Sequence, residues 1–99
     1  MVRHIVAWNF VDGFTEEENL QHARRVRAEL EALPGIVPGL ISLKVHIVPL
    51  PTSDKDVVLV SEMENEEALA VYQAHPEHVK AGSYLRTVLT NRVTMDFVE

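Results

Sequence analysis

The sequence predicts an α+β domain, a four-stranded antiparallel sheet with two helices on one face. Three observations carry that expectation. Four segments have the apolar runs or two-residue alternation of strands, two repeat their apolar residues every three or four positions, and the order along the chain is β, α, β, β, α, β. At 99 residues the chain has room for one hydrophobic core, so residues 1–99 are read as a single domain.

The first strand spans residues 2 to 11. Val2, His4, Val6, Trp8 and Phe10 share one side, and Arg3, Ile5, Ala7, Asn9 and Val11 the other. Both sides are largely apolar, as in a strand covered twice. Asp12-Gly13 marks a turn. Thr15 and Glu18 have capping-box spacing, which starts a helix expected over residues 16 to 33. Leu20, Ala23, Val26, Leu30 and Leu33 recur at helical spacing, while Glu16, Glu17, Arg24, Arg25, Glu29 and Glu31 populate the wet side.

Pro34-Gly35 stops that helix, and Pro38-Gly39 breaks the chain again before a second strand over residues 40 to 48. Its alternation predicts Ile41, Leu43, Val45 and Ile47 on one face and Ser42, Lys44, His46 and Val48 on the other. Pro49, Pro51, Thr52, Ser53 and Asp54 read as a loop. The run Val57-Val58-Leu59-Val60 places a doubly buried strand within residues 56 to 64. Asn65 caps a second helix, with Glu66 and Glu67 at the positive end of its dipole. That helix must weaken near His75, because Pro76 disfavours an α conformation at the residue before it. Residues 77 to 88 are expected to be irregular or short helical structure broken at Gly82. Residues 91 to 98 close the chain as a strand with Val93, Met95 and Phe97 on one side.

This order is the split βαβ arrangement of ferredoxin-like folds. Two helices cover one side of a four-stranded sheet, so an apolar face on the order of several hundred Å² is left bare on a monomer. A second copy of the chain is the simplest cover, and a homodimer is expected.

Composition narrows the function classes. Nine Lys and Arg against fifteen Asp and Glu leave a formal charge of -6, which repels nucleic acid and anionic lipid, so neither is expected as a partner. The absence of cysteine removes disulfides, thiolate metal sites and Cys nucleophiles. Polar residues interrupt the N-terminal segment at Arg3, His4 and Asn9, unlike a signal peptide, and no stretch approaches the ~20 apolar residues of a membrane span. The chain is read as cytoplasmic. Gly13, Gly35, Gly39 and Gly82 lack the spacing of a nucleotide loop or nucleophile elbow.

The densest polar cluster is Tyr72-Gln73-Ala74-His75-Pro76-Glu77-His78-Val79-Lys80. Two imidazoles and a phenol around a helix break can aim titratable groups into one cavity, and histidine takes and returns protons near neutrality. The same segment can equally serve as capping, with His75 against a helix end and Tyr72 as a half-buried amphipathic ring. His4, a polar residue on an apolar strand face, is either a satisfied core histidine or a site residue. His4, His75 and His78 have no acid at ligand spacing, so no metal or cofactor is expected. His22 and His46 read as surface positions, and Arg24, Arg25 and Arg27 as a solvated face paired with Glu29 and Glu31.

Val2-Arg3-His4-Ile5-Val6, Pro38-Gly39-Leu40-Ile41-Ser42-Leu43, Val60-Ser61-Glu62 and above all Tyr72 to Val79 resemble the stress-responsive dimeric α/β barrel (Dabb) family. The resemblance implies a ferredoxin-like protomer that pairs its sheet face to face with a second copy. The family includes plant polyketide cyclases of the olivetolic acid cyclase type, which close a linear poly-β-keto thioester by aldol condensation. By that resemblance His78 is the base, Tyr72 holds the ligand or stabilises the enolate oxygen, and His4 is the strand-one histidine. The cyclases carry large aromatic residues on the first helix where His22, Ala23 and Val26 stand here, which implies a different pocket shape.

The expected function is therefore a homodimer that binds a small organic ligand in a cavity beneath residues 72 to 79, enclosed with its twin. His78 and Tyr72 are the expected catalytic pair, with His4, Val6, Trp8, Leu59 and His75 against the ligand. A non-catalytic stress-responsive structural or binding dimer and another dimeric α+β barrel enzyme, such as a cofactor-free monooxygenase, are the alternatives.

Overall fold

The structure is a computed structural model that describes residues 1–47 and 49–99. Strand β1 (Val2–Phe10) leads to helix α1 (Glu16–Glu31), strands β2 (Leu40–Ile47) and β3 (Val57–Met63), helices α2 (Glu66–Ala74) and α3 (Pro76–Val88), and strand β4 (Leu89–Val98). The sheet order is β2-β3-β1-β4, with each neighbouring pair antiparallel. This is the expected ferredoxin-like sheet. Val48, placed by alternation at the end of the second strand, lies outside the described residues.

Local signals set the helix starts. Thr15 Oγ1 accepts from the Glu18 N–H at 3.1 Å, and the Glu18 carboxylate accepts from the Thr15 N–H at 2.9 Å, so the capping box is complete. Asn65 Oδ1 accepts from the Ala68 N–H at 2.8 Å and opens α2. Beyond α2 the expectation needs correction. Residues 76 to 88 form one unbroken helix that runs through Gly82. Pro76 sits in its first turn, where the missing N–H has no partner to lose. Burial of Ala81, Leu85 and Val88 against the core outweighs the weak helix propensity of glycine.

The second correction concerns β2. Leu40 pairs with Met63 and Ser42 with Glu62, so Ile41 is an extra residue in a β-bulge. Leu40 and Leu43 both turn inward, and Ile41, expected on the same face as Leu43, is 45% exposed. The core lies between the sheet and the helices. Val6, Leu43, Val45, Leu59 and Met63 from the sheet meet Ala23, Val26 and Leu30 of α1 there. Glu31, read as a surface salt-bridge partner, instead accepts the Val45 N–H at 2.9 Å on the sheet's outermost strand. Arg25 and Glu29 do pair, at 2.7 Å.

The opposite sheet face carries Ile5, Ala7, Val58, Val60, Val93, Met95 and Phe97 in one continuous patch. Ala7 pairs with both Val58 and Val93, and Ile5 with both Val60 and Met95. Neighbouring side chains half-bury Ile5, Val58 and Val60, while Met95 is 63% exposed. A single chain leaves this face uncovered.

Candidate active site

The site forms where α3 stands off the β1 and β4 edge of the sheet. Between β1 and β4 the pairing passes from Ala7 with Val93 to Asn9 with Thr90, so Asn91 and Arg92 together oppose Trp8. Asn91 takes the left-handed conformation such a bulge requires, with φ of 54°, and asparagine tolerates it better than other non-glycine residues. Lys55 Nζ donates to the Asn91 carbonyl at 3.0 Å and holds the bulge in place. The result is a cleft of about 360 Å³, bounded by His78, Leu85 and Arg86 of α3 on one side and by Trp8, Leu89 and Arg92 of the sheet on the other. That volume falls in the lower part of the roughly 300–1,000 Å³ range of small-molecule sites.

Behind the cleft stands a column of rings. The His78 and Tyr72 centroids are 4.3 Å apart with planes inclined at 47°. The edge of the next pair, Tyr72 and His4, meets at 5.8 Å and 65°. Tyr72 is 1% exposed and His4 2%. His4 Nδ1 is paired with the Asp96 carboxylate across the β1 and β4 pairing, which settles the polar cost of a histidine on a buried strand face. Ser61 Oγ donates to the His4 carbonyl at 2.8 Å.

The proton positions follow from the partners. His78 Nδ1 lies 3.3 Å from the Gln73 carbonyl oxygen. A carbonyl only accepts, so Nδ1 carries the hydrogen and Nε2 keeps its lone pair. Partial burial lowers the His78 pKa from its usual value; the hydrogen bond to Gln73 opposes this, and the nearby His4, Arg92 and Arg86 charges reinforce it. His78 is therefore a neutral base at physiological pH. Burial drives the Tyr72 phenol in the other direction, well above its ordinary range, with Arg92 a smaller opposing influence. Tyr72 remains a hydrogen-bond donor.

The residues singled out from sequence divide clearly. His78 and Trp8 line the cleft, and Tyr72 and His4 stack behind them. Val6 and Leu59 are core residues, each 2% exposed. His75 is a capping residue, its Nδ1 accepting the Glu77 N–H at 3.1 Å at the start of α3. His22 is not a surface position: it is half-buried, with Nδ1 unpaired and its ring 4.5 Å from that of Phe14. The cleft that this chain forms lies on the helix side of the sheet, and the bare face available to a twin is the opposite one. Arg86, Arg92 and Asp96 were missed. Asp96 falls on the face opposite Val93, Met95 and Phe97, so alternation alone would have directed it toward the helices; its pairing with His4 depends on register.

Among the described residues, no group of three or more His, Cys, Asp or Glu side chains is gathered as a metal site, and no helix is long and apolar enough to cross a membrane. A groove of about 490 Å³ between α1 and α3 and another of about 480 Å³ beside residues 49–56 are larger. Neither is lined by a histidine.

A ferredoxin-like α+β domain with a histidine-lined cleft on its helix side, backed by a buried tyrosine, is the class these features define. The profile of the Stress responsive A/B Barrel Domain (Dabb) family matches residues 2–99, and the chain belongs to that family. A dimeric ferredoxin-like protein of unknown function from Bacteroides fragilis is 30% identical, with a TM-score of 0.91 over 99% of this chain and 95% of that one. A dimeric ferredoxin-like protein from Thermobifida fusca is 25% identical, with a TM-score of 0.82 over 99% and 90%. Hydroxynitrile lyase from Passiflora edulis shares the fold at 14% identity, with a TM-score of 0.81 over 99% and 92%. Comparison with curated proteins finds no match.

Proposed function

We propose that the chain works as a homodimer in which each protomer's cleft binds a small organic ligand, and that His78 removes a proton from a carbon beside a carbonyl of that ligand. The observation that carries this reading is the Tyr72 and His78 stack at the cleft, 4.3 Å between ring centroids. His78 Nε2 takes the proton and the electron pair moves to the carbonyl oxygen as an enolate. Tyr72 O–H is the donor for that oxygen. In an aldol-type closure of the polyketide cyclase kind, the enolate carbon then forms the new C–C bond at a second carbonyl, whose π pair moves to its oxygen and takes up the proton held by His78. The homodimer is supported by the bare apolar face and by the dimeric Bacteroides fragilis relative. The Passiflora edulis lyase supports only that this fold can carry lyase chemistry.

The test is exchange of the α-protons of an acetoacetyl thioester in D2O, followed by proton NMR. The native chain accelerates exchange above buffer, His78→Ala returns it to the buffer rate, and Tyr72→Phe loses about tenfold or more. Full exchange in His78→Ala, or no acceleration by the native chain, overturns the reading.

A further inference from the structure

We infer that the cleft beside His78 selects a small carboxylate with an apolar body, its anionic end held by Arg86 and Arg92 and an acceptor oxygen held by the indole N–H of Trp8. The inference rests on the proposed reading of the cleft as a ligand site and adds the class of ligand. Three observations lead to it.

In a chain of net charge -6, two guanidinium groups line one cleft and no Asp or Glu does. Among the described residues, the ion pairs engage Arg3, His4 and Arg25, so neither Arg86 nor Arg92 has a carboxylate within 4 Å. Isolated cations at one site in an acidic protein are matched by an incoming anion, and a guanidinium fork fits the two oxygens of a carboxylate.

Trp8 also lines the cleft. The residue is 5% exposed, and its Nε1 is a buried donor with no hydrogen-bond partner. Such a donor is costly unless something supplies the acceptor.

Gly82 has a definite place in this arrangement. It lines the same cleft, and a Cβ there would stand 3.2 Å from Arg86 Nη1. The bare glycine leaves room for the guanidinium to lie back along α3 beside the cleft. Leu85 and Leu89 supply apolar wall. The ligand thus has a charged end between the two arginines and an apolar body beside Trp8.

Trp8 is the only tryptophan, so its indole N–H gives one NMR signal that reports on the cleft itself. The probes are phenylacetate, its neutral counterpart phenylacetamide, and phenyl phosphate, each titrated against the full chain. Phenylacetate is expected to shift the indole signal and bind at least about tenfold tighter than phenylacetamide. The double variant Arg86→Gln/Arg92→Gln removes that preference, bringing phenylacetate affinity down to that of phenylacetamide; both positions are exposed, so the fold is retained. Equal affinity for acid and amide, or a preference that survives in the double variant, overturns the inference alone. Tighter binding of phenyl phosphate reassigns the arginines to phosphate esters and overturns the carboxylate class. An indole signal unmoved by every probe overturns both the inference and the ligand site beneath it.

Discussion

Arg86 folds back over Gly82 one helical turn earlier, with Nη1 3.2 Å from the place a Cβ would occupy. Glycine inside a helix costs roughly 0.5–1 kcal/mol relative to alanine. The obstacle to an alanine is only the mobile end of a flexible side chain. Gly82→Ala is therefore expected to raise stability by about 0.5–1 kcal/mol, or several degrees in Tm for a chain of this length, while weakening phenylacetate binding as the guanidinium is displaced. A lower Tm would show that the helix does not tolerate a side chain there.

Protonation of His78 gives a pH dependence with a defined sign. Burial lowers its pKa from the usual 6.5, so just below that value the unfolded chain holds the proton and the folded chain does not. Stability then rises with pH through this window. The contribution is complete above 6.5 and disappears as pH falls through the folded value. The charges facing the ring are His4, Arg92 and Arg86, and their repulsion acts in the same direction. Urea midpoints of the native chain and His78→Asn, measured between about pH 5 and 7.5, should converge at the acid end relative to their separation near neutrality. Parallel curves would exclude a depressed pKa at His78.

Gly39 is a stricter position. Its φ is +80°, and a Cβ would lie 2.6 Å from Ala68 Cβ on α2. Its carbonyl also accepts the Glu64 N–H at 3.0 Å, which ties the entry of β2 to the exit of β3. Left-handed backbone costs alanine about 1–2 kcal/mol and overpacking about 1–3 more. Gly39→Ala should therefore lose about 2–5 kcal/mol in denaturant unfolding. A loss below about 1 kcal/mol would mean that α2 can shift away from the loop.

What was legible in the sequence is what depends on near neighbours. Thr15 with Glu18 and Asn65 with its following acids determine helix starts through contacts three residues long. Val93, Met95 and Phe97 disclose the bare face because strand alternation needs no partner to be read. Tyr72 and His78 were legible as a pair because both flank one helix break. Contacts made across the chain were hidden. Asp96 meets His4 from 92 residues away, and Arg92 faces Trp8 only because a bulge at Asn91 shifts the register. The bulge at Ile41 reversed a face assignment for the same reason. The continuity of α3 was missed because tertiary burial of Ala81 and Leu85 overrode the weak propensity of Gly82. His75 looked like a ligand residue, yet a proline at the next position made it a cap.

The bare sheet face supplies the last prediction. Met95 is 63% exposed in one chain and pairs with Ile5 near the middle of the apolar patch. A carboxylate there would be buried without a partner in a face-to-face dimer, at a cost of several kcal/mol per protomer, whereas in a lone chain it stays in water. Met95→Glu should therefore sediment as a monomer where the native chain sediments at twice 11.2 kDa, with an unchanged far-UV circular dichroism spectrum and a lower, concentration-independent Tm. Because His78, Arg86 and Trp8 lie on the helix side of the sheet, away from the bare face, the monomeric variant should still shift its Trp8 indole signal with phenylacetate. A variant that remains dimeric would move the interface to another face, and a monomer that no longer binds would mean that the partner shapes the cleft across the sheet.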